Sequence, residues 1–506
     1  MKRKELVFIP PPFMGHMTQM VELAKLMVER DDRLVVTFLI IELPLPDPVG
    51  SSAIKSFGQT PKPNCPGQKQ EQGHESEQNN IKFVHLPVVD PDPEWDFKTV
   101  GVLHSLILDH QKPYIREIVS SFPEAHDTEL AGFVFDMLCT PVIEVANEIG
   151  VPGYVFFASN AAFLGLMLHL QDLHDHHNQD VSELRYSKSD LVIPSYAVPV
   201  PPSVLPFVLI DKRSWITRFI RYARDFRKAK AIMVNTFSDV EPYALESLSS
   251  LSVPVYPIGP ILSRTHLKEY DHDQANITRW LDDQPAKSVV FLCFGSRGGF
   301  PDAQVTEIAE GVERSGHRFL WSIRQPASKD KAEFPGKYSL DGLEVLPEGF
   351  LDRTAGKGKV INGWVGQLQV LAHPAVGGFV SHCGWNSILE SIWCGVPTAT
   401  LPIYAEQQVN AFQMVRDLGL SAEISLDYHQ HTYDHDLDTE MIVTASQVER
   451  GIRLVMEAED GCGNELRNKV KDMSEKARTA VADGGSSYVA LRNLINKEVI
   501  GATALY

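Results

Sequence analysis

Residues 377–394 read GGFVSHCGWNSILESIWC. The apolar run Gly377–Ser381 predicts a buried strand, and Asn386–Cys394 has the length and apolar spacing of a helix. His382 to Ser387 is therefore the turn between the carboxyl end of a strand and the start of a helix. In open α/β sheets this crevice binds ligands, and free N–H groups at a helix start suit a phosphate. The segment predicts a parallel sheet with an anion-binding edge.

Both halves of the chain alternate short apolar strands with helical stripes. Leu6–Pro10 predicts a strand followed by a helical stripe over 17–28, and Val289–Phe294 predicts a strand followed by a stripe over 305–312. Further strands are predicted at 132–135, 151–157, 319–323, 360–362, 377–381, 398–401 and 422–426. This alternation predicts the α/β class with doubly wound parallel sheets, and 506 residues are more than one core accommodates. We therefore expect two such domains.

The domain boundary is expected at Val253–Leu262, where three prolines and a glycine interrupt any periodicity. This boundary predicts a first domain over 1–254 and a second over 263–483. The residues from Asp483 to Ser487 supply a helix stop and N-cap residues for a last helix within 484–506, which we expect to pack back on the first domain. The polar segments Thr60–Asn80 and Pro326–Leu343 predict surface loops.

Composition and charge argue against several classes of function. The net charge of −18 disfavours a nucleic-acid partner or an anionic membrane surface, because both need clustered Lys and Arg. No run approaches the roughly 18 apolar residues of a membrane span. The six cysteines form no CxxC pair, which fits a reducing compartment, so we expect a cytoplasmic protein.

Polar and aromatic side chains concentrate between Trp364 and Gln407. The Trp364 ring offers a flat face for a nucleobase, Glu390 offers an acceptor for ribose hydroxyls, and Glu406 with Gln407 offers hydrogen-bond partners for a sugar. Taken singly, each residue fits a capped helix or a packed core better than a ligand site. Taken together, they converge on one strand-to-helix turn, which favours a binding site.

The segment Trp364–Gln407 resembles the motif of the plant family of UDP-dependent glycosyltransferases that act on secondary metabolites. The resemblance extends over almost the whole chain through five further motifs, Phe8-Ile-Pro…Gly15-His16, Val234-Asn-Thr-Phe-Ser-Asp239, Trp280-Leu-Asp-Asp-Gln-Pro285, Phe294-Gly-Ser296 and Asp483-Gly-Gly-Ser-Ser487. It implies a GT-B architecture, in which two Rossmann-like domains face each other. The first domain would bind the acceptor, and the second would bind the UDP-sugar.

The resemblance also implies a role for each matching residue. Trp364 would stack on uracil, assisted by the backbone of Val365 and the side chain of Gln367, and Glu390 would bind ribose. The diphosphate would be held by Ser296, His382, Asn386 and Ser387. The sugar would contact Trp385, Glu406 and Gln407. In the family, Gln at this last position accompanies glucose, so we expect UDP-glucose as the donor, with no cofactor and no metal.

His16 follows the first predicted strand, where a lone histidine would most simply cap the next helix. Asp136 follows another strand of the same sheet, and in the family the matching Asp orients the matching His. A neutral imidazole accepts a proton from a hydroxyl, and a carboxylate on its other nitrogen fixes the tautomer and stabilises the imidazolium. We therefore expect His16 to be the general base and Asp136 to support it, in a single displacement with inversion.

Apolar residues of the first domain are candidates for the acceptor pocket, although each of them taken singly fits a hydrophobic core better. The candidates are Phe13, Met14, Met137, Leu138, Phe157, Ala158, Phe163, Met167 and Leu205. Together they suit a flat phenolic, flavonoid or terpenoid acceptor.

The chain departs from the usual residues of the family at four positions. Pro is usual where Gly366 stands, Trp where Leu401 stands, Thr where Ala158 stands, and an uncharged residue where Arg297 stands. None of these departures removes a catalytic group. The histidines of two polar stretches, His174 to His177 and His429 to His435, predict solvated loops rather than metal ligands.

Two other classes of protein compete with this reading. A nicotinamide-dependent oxidoreductase would share the paired α/β units, but it needs a GxGxxG motif after a strand, and the chain has none. A non-catalytic protein that binds nucleotide-sugars remains an alternative. His16 and Asp136 argue against it, because binding alone needs no base. We expect a monomeric enzyme whose partners are a UDP-sugar and a small acceptor.

Overall fold

The computed structural model describes residues 2–45, 80–95, 97, 99–122, 128–212, 215–262, 271–327, 332–338, 342–429, 441–457 and 461–501. Residues 60–79 of the predicted loop Thr60–Asn80 lie outside the described residues, as do His431, His435 and residues 502–506 of the predicted last helix. The segment Pro326–Leu343 is described in part, and Gly336 forms an isolated antiparallel bridge with Gln325 there. Within the described ranges, no helix is long and apolar enough to cross a membrane.

Two parallel sheets organise the described part of the chain. The first has the order β3-β2-β1-β4-β5-β6-β7, with β1 (Arg3–Ile9), β2 (Leu34–Ile40), β3 (Ile81–His85), β4 (Thr128–Asp136), β5 (Gly153–Phe157), β6 (Ala231–Val234) and β7 (Val255–Pro257). The second has the order β10-β9-β8-β11-β12-β13, with β8 (Val289–Cys293), β9 (Arg318–Ile323), β10 (Gly358–Asn362), β11 (Val376–Ser381), β12 (Thr398–Thr400) and β13 (Ser421–Glu423). Neighbouring strands pair in parallel in both sheets. The predicted pair of doubly wound domains is confirmed.

Helices connect the strands and cover both sheets. They are α1 (Met14–Arg30), α2 (Val100–Ser120), α3 (Ile143–Ile149), α4 (Ala161–His176), α5 (Ile216–Phe226), α6 (Pro242–Leu248), α7 (Asp271–Asp282), α8 (Asp302–Ser315), α9 (Phe350–Arg353), α10 (Gln367–Leu371), α11 (Trp385–Cys394), α12 (Gln407–Phe412), α13 (Ala445–Met456), α14 (Gly461–Val481) and α15 (Ser486–Leu494). Single π-helical turns extend α12 through Asp417 and α15 through Val499.

The first domain extends further than the sequence predicted. Strand β7 lies beyond the expected end at residue 254 and pairs with β6. Ile258 and Ile261 then pack in the same buried cluster as Leu6 and Phe8 of β1. The prolines of this segment are compatible with a strand because β7 is an edge strand, where a missing N–H group can face away from the neighbouring strand.

The last helix returns to the first domain. Leu491, Leu494 and Ile495 are buried in the cluster that also holds Phe8 and Met20. Beyond them, the Tyr154 hydroxyl donates to the Glu498 carbonyl at 2.6 Å. The chain therefore crosses between the domains twice, once after β7 and once after α14.

Two helices differ from the predicted boundaries. Helix α1 begins at Met14, so His16 lies in its first turn rather than in a loop. Helix α4 runs to His176, so the solvated loop predicted at His174 to His177 is wrong for its first part. The helix continues there because Leu173 still packs against the core while the His176 side chain faces solvent within 3.9 Å of Asp172.

Candidate active site

The carboxyl ends of the two sheets face each other across a cavity of about 540 Å³. Its lining follows β1, β4 and β5 in the first domain and β8, β11 and β12 in the second. Most of the predicted site residues line it: Phe13, Met14, His16, Met137, Leu138, Ala158, Phe163, Ser296, Trp364, Val365, Gln367, His382, Trp385, Asn386, Ser387, Glu390, Glu406 and Gln407. A cavity of this size is typical of small-molecule sites.

His16 lines this cavity and forms a hydrogen-bonded pair with Asp136, which lies buried behind it. Nδ1 of His16 lies 2.8 Å from Oδ2 of Asp136, whose side chain is fully buried. Oδ1 of Asp136 accepts from the backbone N–H of Leu138 at 2.9 Å, which fixes the carboxylate. The pairing of β1 with β4 brings the two residues together, because Asp136 is the last residue of β4 and His16 lies in the first turn of the helix that follows β1. The His16 side chain stays 29% exposed, so its other nitrogen is accessible to a ligand.

The surroundings of His16 change its basicity. Burial lowers the pKa of His16, but the charge and the hydrogen bond of Asp136 outweigh burial, so that the pKa is raised above its ordinary value. Glu406 raises the same pKa further, and Arg297 opposes this increase. His104 lines the same cavity and has the opposite shift. Burial and the charge of His16 lower the pKa of His104 to about 3, so this second imidazole is neutral at pH 7.

An anion site lies at the start of α11. Gly384 precedes this helix and offers no side-chain cap, which leaves the first backbone N–H groups directed at the cavity. The His382 ring is buried beside them, and burial lowers its pKa to about 4. A Cβ on Gly384 or Gly295 would come within 2.6 Å or 2.5 Å of Nε2 of His382. The two glycines therefore leave the space that the His382 ring occupies.

Glu390 and Ser387 of α11 form a hydrogen-bonded group with Gln367, the first residue of α10. Nε2 of Gln367 donates to Oε2 of Glu390 at 2.7 Å and to Oγ of Ser387 at 2.8 Å. Burial raises the pKa of Glu390 to about 7, although the hydrogen bond from Gln367 opposes this. Trp364 and Val365 line the cavity next to this group. The arrangement offers an aromatic face beside a carboxylate that can accept from hydroxyls.

Gln407 is partly used by its own loop. Its Oε1 accepts from the backbone N–H groups of Ile403 and Tyr404 at 2.9 and 3.0 Å. Its NH₂ group is left for a ligand, so of the hydrogen-bond partners predicted for a sugar Gln407 supplies the donor and Glu406 the acceptor. Glu406 remains an acceptor, and its carboxylate accepts from Oγ of Ser159 at 3.3 Å across the cavity.

Two residues that were predicted to bind the donor instead join the two domains through their side chains. Nε1 of Trp385 donates to the Asn235 carbonyl at 2.7 Å, and the indole is almost fully buried, so its N–H group is not available to a sugar. Nδ2 of Asn386 donates to the Gly15 carbonyl at 3.0 Å, and Oδ1 of Asn386 accepts from Gln19. Any contact of Asn386 with a diphosphate through its side chain would compete with these interdomain bonds.

The acceptor half of the cavity differs from the prediction in part. Phe157, Met167 and Leu205 do not line the cavity and belong to the core of the first domain. Phe157 points into that core because it is the last residue of β5 and packs edge-on against Phe226 at 5.6 Å. Ala158, the next residue, reaches the cavity instead.

Aromatic residues from α2, from α5 and from the position directly before α5 complete the acceptor half, and the sequence alone did not indicate them. Besides His104, they are Trp215, Phe219 and Tyr222. Gly101 on α2 makes room for the Trp215 ring, since a Cβ there would lie 2.5 Å from Cη2. Within the described ranges, no group of three His, Cys, Asp or Glu side chains is arranged to hold a metal ion.

Comparisons with known proteins agree with this geometry. Residues 216–441 match the family model described as UDP-glucoronosyl and UDP-glucosyl transferase. The chain is 48% identical to UDP-glycosyltransferase 71E1 of Stevia rebaudiana, with 98% of each chain covered. It is 46% identical to UDP-glucose flavonoid 3-O-glucosyltransferase 6 of Fragaria ananassa, with 98% of this chain and 99% of the other covered.

Comparisons with solved structures point to the same family. The structure of Medicago truncatula UGT71G1 complexed with UDP-glucose matches with a TM-score of 0.82 and 36% identity over 98% of both chains. A UGT transferase from Siraitia grosvenorii in complex with UDP matches with a TM-score of 0.81 and 40% identity, covering 98% of this chain and 100% of that one. These likenesses confirm the predicted GT-B architecture. The chain is an enzyme that belongs to the plant UDP-glycosyltransferase family.

Proposed function

We propose that this enzyme transfers glucose from UDP-glucose to a hydroxyl group of a small apolar acceptor, with inversion at the anomeric carbon. The observation that carries the proposal is the 2.8 Å contact between His16 and Asp136 in the wall of a cavity shared by both domains. A protein that only binds a nucleotide-sugar does not need a buried carboxylate on the far side of an accessible imidazole.

The reaction follows from the positions of these groups. Nε2 of His16 accepts the proton of the acceptor hydroxyl while the oxygen attacks the anomeric carbon. The bond between that carbon and the diphosphate breaks, and UDP leaves from the start of α11. The Asp136 carboxylate stabilises the imidazolium that forms, since it already accepts from Nδ1. The proton, the new glycosidic bond and the leaving group are then all accounted for.

Glucose is supported as the sugar by residues at the far end of the cavity. The NH₂ group of Gln407 and the carboxylate of Glu406 supply a donor and an acceptor for sugar hydroxyls. A buried polar group left without a partner costs about 1–3 kcal/mol, so an epimer with one misplaced hydroxyl would be disfavoured by about ten- to a hundredfold. The names of the Fragaria relative and of the Medicago complex point to the same donor.

The acceptor is proposed to be a flat phenolic, flavonoid or terpenoid molecule. Phe13, Phe163, Trp215 and Phe219 place aromatic rings around the acceptor half of the cavity. Aromatic and aliphatic walls favour apolar ring systems, because they bury apolar surface.

The displacement is proposed to need no metal, because the start of α11 already supplies N–H groups for the diphosphate. The enzyme is proposed to act as a monomer, because one chain supplies both halves of the cavity. Activity after treatment with EDTA tests whether the reaction needs a metal. Size-exclusion chromatography with light scattering tests whether the enzyme is a monomer.

A panel of phenolic and terpenoid acceptors, each combined with UDP-glucose, UDP-galactose and UDP-glucuronate, tests the function. We expect UDP release together with a hexoside detected by mass spectrometry, formed fastest from UDP-glucose. His16→Ala should lower turnover of unactivated hydroxyls by about 10²–10⁴-fold. UDP binding without turnover of any acceptor would favour the alternative of a non-catalytic nucleotide-sugar binder. A galactoside as the main product would contradict the reading of Gln407.

A further inference from the structure

Arg297 lies where the two halves of the cavity meet. It lies in the loop after β8, next to Ser296, and its side chain is half-buried. Its Cζ lies 5.7 Å from the ring centre of Phe13 in the first domain and 5.8 Å from the ring centre of Tyr404 in the second. Rings at these distances attract a guanidinium and restrict its orientation. Arg297 therefore presents a positioned cation to the cavity.

This cation has no counter-charge of its own. Among the residues that the structure describes, none forms a hydrogen bond or an ion pair with the Arg297 side chain. Asp136 forms its ion pair with His16, and the Glu406 carboxylate, which accepts from Ser159 and stays available to a sugar, forms no ion pair with Arg297. A partly desolvated cation without a partner is unfavourable, and a ligand that supplies an anion relieves this.

The position of the guanidinium indicates which part of a ligand it would meet. Tyr404 precedes Glu406 and Gln407, which line the sugar end of the cavity. Phe13 packs against His104 at 5.4 Å, on the acceptor side. The place for the diphosphate is the start of α11, beside Ser387 and His382. Arg297 thus faces the junction of sugar and acceptor, at a position where the family usually has no charge.

We propose that Arg297 forms a carboxylate-binding subsite at the junction of the transferred sugar and the acceptor. The subsite rests on the proposed function, because that function defines the two ligands. The planar guanidinium matches a carboxylate through two parallel hydrogen bonds. The carboxylate belongs either to a hydroxylated aromatic acid that serves as acceptor or to C6 of a uronic acid donor. In the first case the hydroxyl of the acceptor remains free to reach His16.

Calorimetric binding measurements separate the two sources without requiring turnover. The acceptor arm compares 4-hydroxycinnamate with its methyl ester on the UDP-loaded protein. The donor arm compares UDP-glucuronate with UDP-glucose. Each arm is measured for the wild type, Arg297→Met and Arg297→Lys. Arg492→Met serves as the control, because it removes the same charge from an exposed position on α15.

We expect Arg297→Met to lower the preference for the carboxylate ligand by about ten- to a hundredfold in one of the two arms. Arg297→Lys should keep part of the preference, since it retains the charge and loses the planar fork. Arg492→Met should behave as the wild type. If Arg297→Met does not fold, as judged by lost UDP binding and a collapsed melting transition, Arg297→Lys alone carries the comparison.

The proposal is overturned if, in both arms, the Arg297 variants prefer the carboxylate ligand over its neutral counterpart by the same factor as the wild type does. It is also overturned if the variants lose affinity for UDP and for every other ligand by the same factor, because Arg297 would then hold the diphosphate or only clamp the domains. Turnover of the neutral ester with UDP-glucose by the wild type tests the proposed function separately. When the acid is the better ligand, its product should be a phenolic glucoside that survives mild alkali, which cleaves a glucose ester.

Discussion

Replacing Asp136 by Asn tests the His16–Asp136 pair while keeping the shape of the side chain. The Asn oxygen can still accept from the Leu138 N–H, so the loop after β4 should keep its conformation. Its NH₂ group would then face Nδ1 of His16, which must become an acceptor. The proton moves to Nε2, the nitrogen that has to receive the proton of the acceptor. The substitution thus removes the charge and also stabilises the unproductive tautomer.

The magnitude follows from the distance between the two side chains. With Nδ1 and Oδ2 at 2.8 Å, the charge centres lie about 4 Å apart, and an effective dielectric constant of about 20 gives about 4 kcal/mol for a full imidazolium. A transition state with the proton about half transferred keeps about 2 kcal/mol of this, which is a factor of about 30 in rate. Including the tautomer, we expect Asp136→Asn to lower kcat/KM by about 10²–10³-fold.

The pH profile gives an independent readout. Asp136 raises the pKa of His16 against the opposing effect of burial, and only the neutral imidazole is a base. Activity should therefore fall as pH decreases through that raised pKa. In Asp136→Asn the burial remains and the carboxylate is lost, so the acid limb of kcat/KM should move to lower pH. The loss of rate should also shrink as the acceptor becomes more acidic.

UDP release is measured with an unactivated phenol or alcohol, and calorimetry with UDP verifies that the donor site is intact. Asp225→Asn is the matched control, since Asp225 is also buried in the first domain but contacts Lys228 outside the cavity. The control should turn over within a fewfold of the wild type. An unchanged kcat/KM together with an unmoved acid limb in Asp136→Asn would refute the assigned roles.

Other substitutions probe the donor half. Trp364→Ala should weaken the binding of UDP and of UDP-glucose equally and raise KM, while kcat stays largely unchanged. Unchanged binding of UDP by calorimetry would contradict stacking of Trp364 on uracil. Gly384→Ala should weaken the binding of UDP by about tenfold or more, because its Cβ would lie 2.6 Å from Nε2 of the buried His382. An unchanged Kd for UDP would show that the His382 ring can move aside. Gln407→Glu should keep the hydrogen bond to the Ile403 backbone but lose the N–H donor to the sugar. We therefore expect kcat/KM for UDP-glucose to fall about tenfold while the affinity for UDP stays constant. An equal loss of kcat/KM and of UDP affinity would indicate a disturbed loop.

The donor half was predictable because its residues are close together in the chain. His382, Ser387 and Glu390 belong to one strand–turn–helix unit, whose periodicity and polar content are visible in a single stretch. Which atoms of these residues are free was not predictable. The amide oxygen of Gln407 and the indole of Trp385 are taken by backbone groups that approach only in the folded chain.

The acceptor half was predictable only in part, since apolar side chains carry no chemistry that separates a pocket from a core. Phe157 and Ala158 are neighbours in sequence, and only the end of β5 decides that the first faces the core and the second the cavity. Trp215 reaches the cavity because Gly101, more than a hundred residues earlier, leaves space for its ring. Strand β7 was missed for a related reason. Its pairing with β6, rather than local composition, makes the proline-rich segment extended.

The return of α15 to the first domain has a consequence for biosynthesis. Leu491 and Leu494 complete a cluster whose other members, such as Phe8 and Met20, leave the ribosome early. Roughly 240 residues separate the end of β7 from Val499, which is about 12 to 50 s of translation. During that interval the nascent first domain exposes an apolar face that only the end of the chain covers. Chaperone occupancy on stalled nascent chains should therefore persist until α15 has emerged.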